Sequence, residues 1–342
     1  MGKTANVAFF VPHLGCTHAC SFCDQRSIAG QAAPPSPADV ADTLARARGR
    51  MGARVRDAEV AFFGGSFTAI PRTQMLELLE AVAPFLGADG FSGIRVSTRP
   101  DAVEDEMLTL LRAHGVTSIE LGAQSMDDAV LRRNGRGHTA AQVRDAARRI
   151  RQAGFSLGLQ MMTGLPGDTP AGARRTAREL AALCPAAVRI YPALVLKGTR
   201  MADWWADGTY TPQPLDEAVL LCAALFAYFT RKGIHVLRMG LHAEPSLERN
   251  RLAGPWHPAF GELCESRIYY AKAHRALAKV PGADCLLAPR GEVGKLAGQR
   301  RQGLLALEAR TGRRLHIRED PGLPRLTVRA AARPIRDERG VG

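Results

Sequence analysis

Through its first two thirds the chain alternates short apolar runs with amphipathic stretches, and a repeat of that kind leaves few folds open. The runs are Val7–Val11, Val60–Phe63, Ile94–Ser97, Ser118–Leu121, Ser156–Met161 and Val188–Tyr191. They are short enough for strands, and four of the six are rich in β-branched or aromatic residues. Stretches of helical character lie between and after them: Ala38–Arg50, Thr73–Pro84, Asp101–His114, Ala140–Gly154, Ala171–Cys184 and Asp216–Lys232. Several of these open on Pro or on an Asp or Thr cap. Strands joined through helices pair in parallel. The expected class is therefore α/β, a partial (β/α)6 TIM-like barrel, with chemistry gathered at the C-terminal ends of its strands.

Composition agrees with a folded chain of about two domains. Of 342 residues, 46% are hydrophobic and 23% charged, an ordinary globular balance. No apolar stretch reaches the ~18 residues of a membrane span; the longest, Ala218 to Phe229, reads as a buried helix. The first residues carry no secretory pattern, so the cytoplasm is the expected location. A formal net charge of +13 favours a polyanionic partner such as RNA, although an arginine-rich composition alone produces the same balance.

Seven cysteines are an odd number, and three crowd into Cys16-Thr-His-Ala-Cys20-Ser-Phe22-Cys23, a pattern unsuited to a disulfide framework. Cys184, Cys222, Cys264 and Cys285 are scattered and read as plain buried thiols. The CxxxCxxC segment follows the first strand inside a turn-prone loop. Three thiolates can hold three irons of a 4Fe-4S cubane and leave the fourth open to a small molecule. The alternative is a zinc knuckle, which wants a fourth ligand such as His13 or His18.

Further blocks fall after later strands: Phe-Phe-Gly64-Gly65-Ser66-Phe-Thr, Thr98-Arg99-Pro100-Asp101, Glu120-Leu-Gly-Ala-Gln124-Ser125, Asn134-Gly-Arg136-Gly-His138-Thr, Gln160-Met-Met-Thr-Gly164-Leu-Pro166-Gly167 and Ile190-Tyr191-Pro192. With the cysteines, and over roughly Val7 to Gly208, these resemble the radical S-adenosylmethionine (SAM) proteins. Within them they are similar to the barrel of the elongator complex catalytic subunit. The resemblance implies a radical SAM barrel with a 4Fe-4S cluster on Cys16, Cys20 and Cys23. It also implies SAM contacts from Phe22, Gly64, Gly65, Ser66, Thr98, Gln124, Ser125, Arg136 and Gln160. Phe22 would wall the adenine, the glycine pair would let backbone carbonyls approach an ammonium group, and Arg136 would clamp a carboxylate. Gln124, Ser125 and Gln160 would supply polar contacts. The sequence departs from the elongator pattern at Ser97, where an acidic residue is usual.

The composition changes near residue 240. The expected organisation is a barrel over 1–240, a linker and a helix packing on it over 241–280, a small basic region over 281–330, and a flexible tail over 331–342. The run from Val293 to Ile317 resembles the helix, loop, helix and strand of a KH domain, which grips single-stranded nucleic acid through a GxxG loop. Here Arg301 stands where the second glycine belongs. Lys295, Gly298, Gln299, Arg300 and Arg301 are the RNA-contact candidates, and a basic hairpin without RNA affinity is the competing account. No acetyltransferase half or cysteine-rich structural site, as the elongator subunit carries, is visible.

The resemblance thus implies a radical SAM enzyme that cleaves SAM reductively to a 5′-deoxyadenosyl radical, fed by a reducing partner such as flavodoxin or ferredoxin, with a tRNA nucleoside as substrate. A coproporphyrinogen dehydrogenase-like enzyme for a small metabolite and a non-catalytic iron–sulfur RNA-binding protein are the alternatives.

Overall fold

The computed structural model describes residues 5–11, 14–16, 20–24 and 33–331. His13 and His18, and the tail beyond residue 331, lie outside the described residues. The chain separates into two compact units, one made of the chain up to Ala218 with Tyr228–Pro258, the other of Val219–Ala227 with the chain from Ala259 onward.

The first unit is built on seven parallel strands, β1 (Ala5–Val11), β2 (Ala58–Gly64), β3 (Ile94–Thr98), β4 (Val116–Gln124), β5 (Ser156–Thr163), β6 (Ala187–Pro192) and β8 (His235–Met239), side by side in that order. The sheet curls into a half-barrel. All six expected strands form. The seventh, β8, is an edge strand that pairs only with β6 and carries Arg238 at an open position, so it lacks the apolar run that marks the others. A two-stranded ribbon, β7 (Val195–Leu196) with β9 (Arg251–Ala253), completes the unit.

The helices of this unit are α1 (Pro37–Met51), α2 (Arg72–Val82), α3 (Asp105–Ala113), α4 (Asp128–Arg133), α5 (Ala140–Gln152), α6 (Pro170–Ala182), α7 (Arg200–Ala206), α8 (Leu215–Arg231) and α9 (Pro245–Asn250), the middle of α8 grouping with the second unit. Their starts follow from local chemistry. Ser36 and Asp39 form a reciprocal capping box on α1, and Thr139 and Gln142 form another on α5, each worth about 1 kcal/mol. The helix expected from Asp101 begins instead at Asp105. The Thr68 hydroxyl donates to the Ala102 carbonyl at 2.6 Å, and Val103 is extended, so the first turn stops as a separate 3-10 turn.

Alternation along the strands gives the sheet two unlike faces. Val60, Ile94, Ile119, Leu121, Leu159 and Ile190 are at most 1% exposed; each such side chain stabilises by roughly 1.5–3 kcal/mol. The opposite face carries Glu59, Arg95, Glu120, Gln160, Arg189 and Arg238. Trp256, in the expected linker, packs on Leu194, Leu196 and Leu247.

The second unit contains α10 (Phe260–Lys279), β10 (Cys285–Ala288), α11 (Val293–Ala297), α12 (Gln302–Thr311), β11 (His316–Glu319) and β12 (Arg329–Ala331). Its sheet runs β11-β10-β12, with β10 parallel to β11 and antiparallel to β12. Tyr269, Glu265, Glu292, Lys295 and Arg325 form a partly buried polar network within it.

Candidate active site at the strand ends

The loop that leaves β1 is held from three directions. The Gly65 N–H donates to the Val11 carbonyl at 2.7 Å and the Ser66 N–H to the Leu14 carbonyl at 2.9 Å. A Cβ added at Gly65 would stand 2.1 Å from the Leu14 oxygen, and one at Gly15, whose φ is +71°, would stand 2.3 Å from the Ser66 oxygen. The backbones therefore meet only because both residues are glycine. Arg99 donates from Nη1 to the Gly15 carbonyl at 2.8 Å and from Nε to Asp101 at 3.0 Å. Fully buried Asn134 accepts the Ser21 hydroxyl at 2.7 Å and donates to the Val130 and Pro166 carbonyls. Arg99, Asn134, Ser21 and Gly15 were not among the expected site residues. Only their place inside the quoted blocks, or beside the cysteines, marks them in sequence.

Cys16 is exposed, and Cys20 and Cys23 are partly buried. Burial, and after it the proximity of Cys20 and Cys16, pushes the Cys23 thiol up to about 12, with Arg136 acting the other way. Charging Cys23 beside the two other thiols would be eased by a cation near it. Among the described residues no three His, Cys, Asp or Glu side chains gather about a single ion.

Arg136 joins the cysteines to the sheet. Its Nη1 donates to the Cys20 sulfur at 3.2 Å and its Nη2 to the Gly122 carbonyl at 2.7 Å, while its buried Nε has no hydrogen-bond partner among the described residues. Gln124, buried and next along β4, has φ +62°, a strained conformation for a residue with a side chain. The strand pairing with β5 shifts at this point, and the Gln124 side-chain oxygen accepts from Gln160 Nε2 at 3.3 Å. His138 lies behind this bulge with Nε2 at 3.2 Å from the Ala123 carbonyl. Burial, with help from the Arg136 charge, depresses its pKa to about 4. The ring is neutral near pH 7, and Nε2 must carry its proton because a carbonyl only accepts.

Phe22 is buried in an apolar cluster with Val130, Met162, Leu165, Val195 and Tyr210, against which Cys20, Cys23 and Tyr191 pack. Cys20, Cys23, Phe22, Arg136, Gln124 and Gln160 are thus linked by contacts at one end of the sheet. Three other candidates turn inward. Ser66 is wholly buried, 3.2 Å from the Thr98 hydroxyl, and accepts the Arg99 N–H; Thr98 also meets Thr68 at 2.5 Å. Ser125 accepts the Asp127 N–H and lies 3.5 Å from Thr176. Ser97 faces the open side with its hydroxyl 3.4 Å from the Phe62 carbonyl.

In the second unit, Gly298 has φ +75°, and Arg300 and Arg301 have φ +49° and +62°. Arg301 adopts the left-handed backbone that a glycine at its place would take. Beside it a groove of about 470 Å³ is lined by Val293, Ala297, Arg301, Leu304 and the segment Leu315–Arg318. Arg300 and Arg301 are exposed. Lys295 is committed elsewhere, to Glu265 at 2.6 Å and Glu292 at 3.0 Å.

Comparison with known proteins matches residues 10–180 to the Radical SAM superfamily and residues 185–270 to the Radical SAM C-terminal domain. A tRNA uridine(34) acetyltransferase of Dehalococcoides mccartyi (strain CBDB1) is 34% identical over 125 residues, 36% of this chain and 27% of that protein. Human Elongator complex protein 3 is 32% identical over 148 residues, 41% of this chain and 26% of that protein. The chain spans about a quarter of the length of these curated relatives. Among solved structures, Elp3 of the archaeon Methanocaldococcus infernus aligns over 78% of this chain and 63% of its own, with a TM-score of 0.63 and 19% identity, a likeness of fold.

Proposed function

This chain belongs to the radical SAM superfamily, enzymes that work with a 4Fe-4S cluster and SAM, and from that premise we propose that it cleaves SAM in order to modify a tRNA nucleoside. When bound, the cluster and SAM would supply reductive cleavage of the sulfonium and hydrogen-atom abstraction, radical chemistry that no side chain provides. Cys16, Cys20 and Cys23 hold the cluster. Arg136 donates to the Cys20 sulfur and, through Nε, offers a donor to the cofactor carboxylate. The Gly64–Gly65–Ser66 backbone meets the cofactor amine, with Ser66 and Thr98 fixing that turn from behind. Gln124, with the adjacent Ser125 setting its turn, and Gln160 present amide groups to the ribose, and Phe22 closes the apolar side. The observation that carries this reading is the bridge from Arg136 to the Cys20 sulfur and the β4 carbonyl, which ties the ligand loop to the strand that bears Gln124.

The substrate assignment draws on the tRNA-directed name of a relative and on the second unit. There the exposed arginines of the turn from Gly298 to Arg301 and the adjoining groove offer charge and apolar contacts to single-stranded RNA. Gln299 belongs to that turn, and Lys295 supports it from its ion pairs. The reaction takes place in the cytoplasm, with a flavodoxin or ferredoxin as electron donor. Two measurements test the reading. Anaerobically reconstituted protein should release 5′-deoxyadenosine from SAM under dithionite, and no release ends the enzyme proposal. Nucleoside mass spectrometry of tRNA from a deletion strain should show a lost modification, and a profile identical to the parent's ends the tRNA proposal.

A further inference from the structure

The open face of the sheet carries a cation that the proposed reaction leaves unused. Strand register sets Gln160 beside Arg189 and Arg189 beside Arg238, across β5, β6 and β8. Paired positions in a sheet point to the same side, so the row runs from the proposed ribose contact to the edge strand. Two carboxylates serve this layer. Glu59 binds Arg95 at 2.6 Å, and Glu120 is shared between Arg95 at 3.2 Å and Arg189 at 2.7 Å. Arg238 receives neither. Its Nε donates to the Gly240 carbonyl at 3.0 Å, and among the described residues it has no ion pair. Three guanidinium groups thus stand against two carboxylates, and the uncompensated one sits beside a like charge.

That arrangement is costly unless an anion completes it, since like charges at paired positions repel. Arg189 is fixed: it stacks over the Phe63 ring at 4.9 Å from its centroid, and Tyr191 and Glu120 hold its pKa above the ordinary guanidinium value against the effect of burial. Arg238 is half-buried, and its pKa is lowered, by burial first and by Arg189 after Tyr191's opposing effect. His242, whose pKa is depressed to about 4 by burial and by both arginines, adds no charge near pH 7. The terminal nitrogens of Arg238 form the fork that phosphate oxygens accept bidentately.

We infer that Arg238, with Arg189 and Tyr191, forms an anion-binding subsite on the open face of the barrel sheet that takes a phosphate group of the substrate. Only the word substrate rests on the proposed reaction; the subsite itself rests on the charge arrangement. The phosphate is either a terminal monoester or a diester within a strand.

Equilibrium dialysis of reconstituted protein against radiolabelled inorganic phosphate, at constant ionic strength, tests the site. The parent for this test is the Arg300→Ala/Arg301→Ala variant, which removes the other proposed phosphate contact. It should bind one phosphate saturably, and adding Arg238→Gln should weaken binding about tenfold or more, the usual weight of a charge-assisted hydrogen bond. Arg238→Lys, which keeps the charge but not the fork, should fall between them and serves if the glutamine variant does not fold. Non-saturable binding, or equal affinity in all three, overturns the subsite. Competition by uridine 5′-monophosphate against the dinucleotide UpU then separates monoester from diester, and failure of both to compete also overturns it. SAM cleavage by the wild-type preparation reports on the reaction independently.

Discussion

The two faces of the seven-stranded sheet are made by the same strands and do opposite work. On β4 the helix-facing Ile119 and Leu121 are fully buried, whereas their neighbours Glu120, Gly122 and, after the bulge, Gln124 face the other way. The covered face is apolar from β2 to β6 and holds the fold through burial. The open face pairs Glu59, Arg95, Glu120 and Arg189 in one layer and sets Gln160, Arg136 and the cysteines above it. A carboxylate shared by two arginines adds less net stability than apolar packing would. What it provides is a floor of fixed charge beneath the site. One face makes the barrel; the other is what the barrel is for.

The sharpest way to break that contrast is at the open face's rim. Cys20→Ala should abolish both the brown cluster absorbance and 5′-deoxyadenosine formation while the covered face keeps the protein folded. Retained iron with normal turnover would show that the cysteine loop is not the metal site. Iron analysis, visible absorbance and circular dichroism on one sample read all three.

Next come two adjacent residues on opposite faces. Leu121→Ala should lower unfolding free energy by about 2–5 kcal/mol through lost burial and a cavity, measured by denaturant titration. Glu120→Gln should cost about 3 kcal/mol because it leaves Arg189 without its carboxylate. Only the second loss should be partly recovered by a compensating Arg189→Gln, since the two residues form one network. Additive losses in the Glu120/Arg189 pair would remove the ionic floor from the account.

The covered face was the legible one. Apolar runs announce buried parallel strands, so β1 to β6 were readable, while β8, an edge strand with Arg238 at an open position, was not. The cysteine spacing points to metal chemistry because three thiolates in one loop have few uses. The glycine pair was readable as a close approach, but the close partners are the Val11 and Leu14 carbonyls of the chain's own loop. The inward turn of Ser66, Thr98 and Ser125, the strained φ of Gln124 and the contact from Arg136 to Cys20 depend on residues 32 to 116 positions apart meeting in space. No local pattern carries that.

His138 stands where the two faces meet, behind the β4 bulge, and its protonation should loosen it. Its folded pKa, about 4, lies below the ordinary histidine value of 6.5, so the unfolded chain takes up a proton first as pH falls. The contribution is complete above pH 6.5 and is lost as pH drops toward 4, up to about 3 kcal/mol. Burial pushes the Asp168 carboxyl the other way, up to about 6. The measurement is therefore the difference in pH-dependent stability between wild type and His138→Gln. A difference that does not change between pH 7 and pH 4 would mean the ring is not held neutral.

The smallest effect belongs to the second unit, which repeats the contrast on a smaller scale. Its β10 is buried along its whole length, while Arg300 and Arg301 stand exposed on a left-handed turn. Residues so placed contribute charge to a ligand and little to the fold. Replacing both by Ala should leave the melting temperature within a few degrees, because surface changes away from packed features rarely exceed about 0.5 kcal/mol, and alanine keeps the Cβ that makes a left-handed backbone costly, so that cost is the same before and after. If each arginine meets one phosphate of a single strand, tRNA affinity should fall roughly tenfold, and the slope of log K against log salt should become shallower by about 1.4. Filter binding across a salt series measures both quantities. A lower affinity with an unchanged slope would mean that the arginines shape the turn without touching phosphate; unchanged affinity would leave the groove without an RNA ligand.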